Sequence, residues 1–261
     1  MLRKSYNYIW RWVALISLIA TILFSYFYEQ LLPNAKTMRE VTMAYPTLFT
    51  PAPYTFSIWG LIYLALTAYA VYQLLPSQKL LSVYDTLAKP FTFVNFMTSC
   101  WVFSFSEAEI PVSMFFIILL LISSILLFLR SKEGILRDQI SVWISVPFSL
   151  LLSWLCMATA ANLEILLAYI GWRGGELGEA PIAILMLAGA MSLGIWTSST
   201  FKDFVFPLVI SWASFGISVG QKTANREVSI AGFIIGIILL VWTAGLVIWF
   251  NGRKRHKLSL Q

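Results

Sequence analysis

Eight long apolar runs alternate with short polar segments along the chain: 9–28, 54–75, 90–106, 112–129, 140–166, 182–201, 204–221 and 229–250. Each comes close to the ~20 helical residues that cross a hydrocarbon core of ~30 Å. Inside a bilayer every backbone N–H and C=O must be satisfied within the protein, so runs of this kind are predicted as helices. The expectation is an all-α polytopic membrane bundle with eight transmembrane helices. The polar segments 29–53, 76–89, 167–181 and the tail from Asn251 are all loop-sized, which leaves no room for a separate soluble domain. A glycine-rich stretch (Gly171, Gly174, Gly175, Gly178) divides the pattern into a five-run block, residues 1–170, and three further helices with a basic tail, residues 171–261.

Composition agrees with the pattern. Of 261 residues, 59% are hydrophobic and 11% charged, under half the charged share of an ordinary soluble domain. The net charge of +6 could suggest nucleic acid, but the placement of the charges does not. With the N-terminus inside and strict alternation, the inner segments hold thirteen Lys and Arg against five in the outer ones, a positive-inside bias. Both termini are then expected in the cytoplasm, in a multi-pass protein of the cell (inner) membrane. The run Arg253-Lys254-Arg255-His256-Lys257 is expected to meet anionic lipid headgroups, with no nucleic-acid partner. The first run is longer than a signal-peptide core and lacks a clear cleavage pattern, so it reads as a retained anchor.

The connecting segments carry their own signals. Segment 29–53 holds Pro33, Pro46, Pro51 and Pro53 and is expected to be a stiff loop. The short link 107–111 predicts a tight antiparallel hairpin of the third and fourth runs. Gly216-x-x-x-Gly220, Gly232-x-x-x-Gly236 and Ala190-x-x-x-Gly194 place small residues on single helix faces. Close helix contact within the chain is the first expectation for them, and a homodimer the second.

Eleven tryptophans are many for a chain of this size. Trp10, Trp12, Trp143, Trp172 and Trp249 fall near run ends, where interfacial belts form. Trp59, Trp101 and Trp154 do not need that explanation. Trp59 shares a stripe with Phe56 and Tyr63, Trp101 lies well inside the third run, and Trp154 precedes Ala158 and Asn162 at i+4 and i+8. An aromatic core that merely packs is one reading. The other is an apolar pocket for a flat hydrophobic small molecule, stacked on the rings and oriented by a few polar groups.

Three stretches resemble the tryptophan-rich sensory protein, or TspO/MBR, family (the translocator proteins). Phe49-Thr50-Pro51-Ala52-Pro53 leading to Trp59-x-x-x-Tyr63 resembles that family's proline-rich approach to the second helix. Ser99-Cys100-Trp101-Val102-Phe103 is similar to its third-helix region, and Trp154-x-x-x-Ala158-Thr159-x-x-Asn162 to its fifth-helix signature. The resemblance covers about residues 9–168, and the last three runs have no counterpart in a five-helix member. Ala52 stands where the family has a second proline, and Thr98 where it has an asparagine. The resemblance implies a membrane receptor for porphyrins and other flat hydrophobic molecules, with the first loop folding over the pocket. It implies Pro51, Trp59, Tyr63, Trp101, Trp154, Ala158 and Asn162 as ligand-binding residues.

Other chemistry has little footing. Cys100 and Cys156 sit inside runs as small apolar residues, and His256 is the lone histidine, so no metal site is expected. No catalytic set or mid-membrane lysine is present; an enzyme is not the favoured reading, and no cofactor is required beyond a porphyrin or tetrapyrrole ligand. Glu164 is expected at the membrane interface or at a polar mouth, and Asn95 as glue between helices. The alternative function is a transporter or permease subunit for a small hydrophobic solute.

Overall fold

The computed structural model describes residues 8–31 and 36–258; the side chains of 29–31, 39 and 251–258 lie outside the described residues. Among the described residues there are nine α-helices: α1 (Tyr8–Leu31), α2 (Met38–Ala44), α3 (Ile58–Tyr72), α4 (Val83–Ser106), α5 (Ile110–Leu136), α6 (Val146–Tyr169), α7 (Glu179–Phe201), α8 (Val205–Gly220) and α9 (Arg226–Leu258). The eight apolar runs thus become eight long helices. Six of them are long and apolar enough to cross a membrane, α3 when taken together with the 3-10 helix Pro53–Ser57 that leads into it, which gives a multi-pass membrane protein. The two that fall short are α4 and α8. Asp85, Lys89, Asn95 and several Thr and Ser dilute the apolar character of α4, while α8 has only 16 residues. Both lie among other helices, and a helix shielded from lipid does not need an apolar surface all round. The basic run 253–257 continues α9 as helix, with its side chains outside the described residues.

The chain divides into two compact units. The first comprises Met1–Pro46 and Phe56–Gly171. In it, α4 packs between α1 and α5, α5 packs on α6, and α3 touches both α6 and α1, so the five long helices close a ring in the order α1, α4, α5, α6, α3. The backbone of α3 approaches its neighbours less closely than the others do, leaving room for large rings. Asn95 ties α4 to α1, donating to Ser17 Oγ at 3.0 Å and to the Ala14 carbonyl at 3.4 Å. Thr21 on α1 returns a bond to the Asn95 carbonyl at 2.9 Å.

At one end of this ring Arg11 is fully buried, not free to meet headgroups. Its guanidinium Nε donates to Asp85 Oδ1 at 2.7 Å. Nη1 donates to the carbonyls of Gln73 and Gln78 at 3.1 and 2.9 Å, and Nη2 to those of Lys79 and Leu81 at 3.4 and 2.9 Å. Five N–H donors meet five acceptors, which matches the full capacity of the group. One side chain therefore organises the whole link from α3 to α4.

The segment 29–53 is not a uniform stiff loop. Thr37 caps α2 reciprocally: its hydroxyl accepts from the Glu40 N–H at 3.2 Å, and Glu40 Oε2 accepts from the Thr37 N–H at 2.8 Å. This capping box starts a short helix whose Val41 is fully buried against Trp101, Phe105 and Ile165.

The second unit comprises Thr47–Thr55 and Trp172–Gln261. Helices α7, α8 and α9 pack on one another pairwise. Asp203 Oδ1 accepts from the Val205 and Phe206 N–H groups at 3.0 Å, capping α8, and Asn225 Oδ1 accepts from Val228 N–H at 3.0 Å, capping α9. Several small residues of α7, α8 and α9 are filled inside this unit. Gly232 and Gly236 seat the Ser214 backbone and the Phe215 ring of α8, and Gly194 faces Ile210 and Leu239. Gly216 and Gly220 receive not a neighbouring long helix but the segment 47–55, with the Thr55 side chain at Gly216 and the backbone of Thr50, Pro51 and Ala52 at Gly220.

Candidate functional site

The site grows from α3, α4 and α6 of the first unit. Their sequences set large rings on facing surfaces, where the wider spacing of α3 accommodates them. The Trp59 ring stacks on Tyr63 one turn along, with centroids 5.4 Å apart, and on Trp101 of α4 at 6.0 Å. Trp154 of α6 meets Trp59 edge-on at 6.4 Å and Phe56 edge-on at 6.0 Å. Offset and edge-to-face pairs of this kind contribute about 0.5–1.5 kcal/mol each beyond the area they bury.

Polar groups fix the rings. Trp101 Nε1 donates to Asn162 Oδ1 at 3.0 Å, joining two residues that sequence places on different helices. Asn162 Nδ2 in turn donates to Ser113 Oγ of α5 at 3.2 Å. Tyr63 and Ser25 share a hydroxyl hydrogen bond of 3.2 Å. Thr98 does not substitute for the family's asparagine, because its hydroxyl donates to the Val94 carbonyl one turn back. Glu164 is buried in α6, two residues past Asn162.

Trp154 behaves differently. It is only 3% exposed, and its Nε1–H has no hydrogen-bond partner among the described residues. The same holds for the hydroxyl of Thr159, five residues on. Buried indole N–H groups usually find an acceptor, so an unpaired one beside stacked rings is an unused donor. Ala158, one turn beyond Trp154, contributes only a methyl group to this face and packs against the Trp101 cluster.

Of the seven residues singled out by sequence, Trp59, Tyr63, Trp101, Trp154, Ala158 and Asn162 belong to the first unit and fall on its α3, α4 and α6. Pro51 belongs to the second unit, in the segment held on α8. Sequence reasoning missed Val41 and Ser113, while Thr159 stands in the fifth-helix signature but not among the seven residues. Val41 follows a Thr-x-x-Glu capping signature that could have revealed α2, whereas Ser113 has no local signal. No group of three or more His, Cys, Asp or Glu able to hold a metal ion occurs among the described residues.

A family model described as TSPO-like protein matches residues 11–245. The match begins at the buried arginine and ends inside α9, so it takes in both units and not only the first five long helices. No curated protein and no solved structure matches the chain.

Proposed function

We propose that this chain, which belongs to the TSPO-like protein family, is a membrane binding or sensory protein for a flat hydrophobic ligand of the porphyrin or tetrapyrrole kind. The ligand would stack among Trp59, Trp101 and Trp154, with Tyr63, Ala158 and Asn162 around it. The observation that carries this reading is the buried Trp154 indole, whose N–H has no partner in a cluster of stacked rings. A planar ligand offers the ring faces a large apolar surface, and an acceptor on its edge would complete the indole donor. On the positive-inside bias we place both termini in the cytoplasm, in the cell (inner) membrane. Reporter fusions at the two termini that read opposite sides would overturn that placement.

The binding test is titration of the purified protein in detergent with protoporphyrin, followed by tryptophan fluorescence. Saturable quenching at about micromolar ligand is expected, with affinity lowered about fivefold in Trp154→Phe, the loss of one neutral hydrogen bond. Ala158→Phe should abolish saturation by filling the space beside Trp154. Equal affinity in the wild type and both variants would refute the site.

A further inference from the structure

We infer that the face of the first unit made by α1, α4 and α5 carries a binding site for an anionic phospholipid, with Lys89 and Arg130 on its phosphate. The site lies apart from the aromatic cluster and does not depend on the ligand reading. Lys89 and Trp101 are twelve residues apart on α4, or about 18 Å at the rise of an α-helix.

The site begins with a proline. Pro90 stands inside α4. Its nitrogen carries no hydrogen, so the Thr86 carbonyl four residues back has no helical donor. Arg130 of α5 supplies one, with Nη1 donating to that carbonyl at 3.3 Å. The bond uses one of the five guanidinium N–H groups and brings the fork beside the turn that contains Lys89. Arg130 stays exposed, so protein does not enclose its other donors.

Lys89 follows Thr86 by three residues, on the same face of α4. Its Nζ lies 5.3 Å from the centroid of the Trp10 ring of α1. An indole face steadies the ammonium without neutralising it. The acids closest in sequence are engaged elsewhere, Asp85 with Arg11 and Glu133 with Arg137. Among the described residues neither Lys89 nor Arg130 forms an ion pair. Two like charges beside one turn of α4 repel each other, and an anion shared between them turns that repulsion into attraction. A phosphate suits the pair, since the arginine fork can bind two of its oxygens and the lysine a third.

What continues from the two cations is apolar. Neighbouring helices cover the polar side of α4, burying Asn95, Thr98 and Ser104, and leave one strip open. Thr86 and Lys89 head that strip, and Phe93 and Phe96 continue it, all four exposed. On α5, Leu126 and Ile122 lie one and two turns before Arg130 and are exposed as well. Cations at one end of a long apolar strip match a headgroup and its acyl chains, not a free ion. Trp10 beside the cations fits the belt at which headgroups lie.

The test is native mass spectrometry of the full-length protein, titrated with phosphatidylglycerol or with phosphatidylcholine. The wild type is expected to bind phosphatidylglycerol the more tightly. Lys89→Gln and Arg130→Gln should each weaken that lipid about fivefold, and together about thirtyfold, with little change for phosphatidylcholine. Arg137→Gln also removes a positive charge at this end of α5 and should leave both affinities unchanged. An equal loss in Arg137→Gln would mean diffuse attraction to the whole basic end and would overturn the inference, as would a wild type without preference. Displacement of the lipid by inorganic phosphate would mean a small-anion site and would overturn it too. Lys89→Gln carries the test alone if Arg130→Gln fails to fold, since only Arg130 holds a backbone carbonyl.

Discussion

Replacing Arg11 by methionine tests whether one buried guanidinium organises an end of the first unit. The change keeps most of the side-chain volume and removes all five donors. Asp85, with its carboxylate 14% exposed, loses its ion-pair partner. Removing one member of a buried pair costs about 3–5 kcal/mol, because the other charge stays largely desolvated. The carbonyls of Lys79 and Leu81 belong to exposed residues and can turn to water, whereas Gln73 is buried and its carbonyl cannot. Together these place the loss at about 4 kcal/mol, a large part of the stability of a typical domain. Asp85→Asn, which keeps an acceptor and removes the charge, should lose only about 1–2 kcal/mol. In the double variant the losses should be strongly non-additive, because both substitutions break the same bond. Equilibrium unfolding of the purified protein by sodium dodecyl sulfate, followed by helical circular dichroism, reads these values. A loss under about 1 kcal/mol for Arg11→Met would refute the reasoning, since no unpaired buried charge would then have been created.

The geometry predicts two further outcomes. Asn162→Leu should destabilise the first unit by about 1–3 kcal/mol in the same unfolding assay, because it strands the Trp101 indole N–H in the interior, while Ser113 keeps its bond to the Ile110 carbonyl; a neutral effect would remove Asn162 as the anchor of the aromatic cluster. The second concerns pH. The Thr37 backbone N–H, and then its hydroxyl, bond the Glu40 carboxylate and hold its pKa below the ordinary 4.5. A carboxyl depressed on folding stabilises α2 at pH values above 4.5 and loses that contribution as pH falls through the lower folded value. Hydrogen exchange of the α2 amides, corrected for intrinsic rates, should show protection falling in that acidic window, and in Glu40→Gln the pH dependence should vanish. Protection that is independent of pH in the wild type would mean the capping box does not hold α2.

The helical architecture is legible because hydrophobic runs report helices without reference to their neighbours. Every run becomes a long helix. The number of self-sufficient spans is less legible, since α4 and α8 satisfy the membrane by what surrounds them, and surroundings are not local. Asn95 is an instructive case: its polar character marks it as interhelical glue, but the partners Ser17 and Ala14 lie about eighty residues away. The candidate site is readable in part. Spacing puts Trp59 with Tyr63 and Trp154 with Ala158, yet nothing local announces the bond between Trp101 and Asn162. Arg11 reads as one more cytoplasmic charge because a charge count cannot see five acceptors folding around it. The glycines of α8 do mark a place of close approach, but no local pattern says that the short segment 47–55, and not another long helix, comes close.

The shielding of α4 and α8 bears on how the chain enters a membrane. Neither helix is a self-sufficient span: α4 is diluted by polar residues, and α8, though apolar, has only 16 residues. Each is followed, after a turn of only a few residues, by one of the two most apolar helices of the protein, α5 and α9. The weak helix and its strong successor can therefore partition as a hairpin, the second carrying in the first and covering its polar face on arrival. Synthesis then has two natural checkpoints. Until α5 has emerged, α4 stays uncommitted, and until α9 has emerged so does α8, along with the seat it provides for residues made long before.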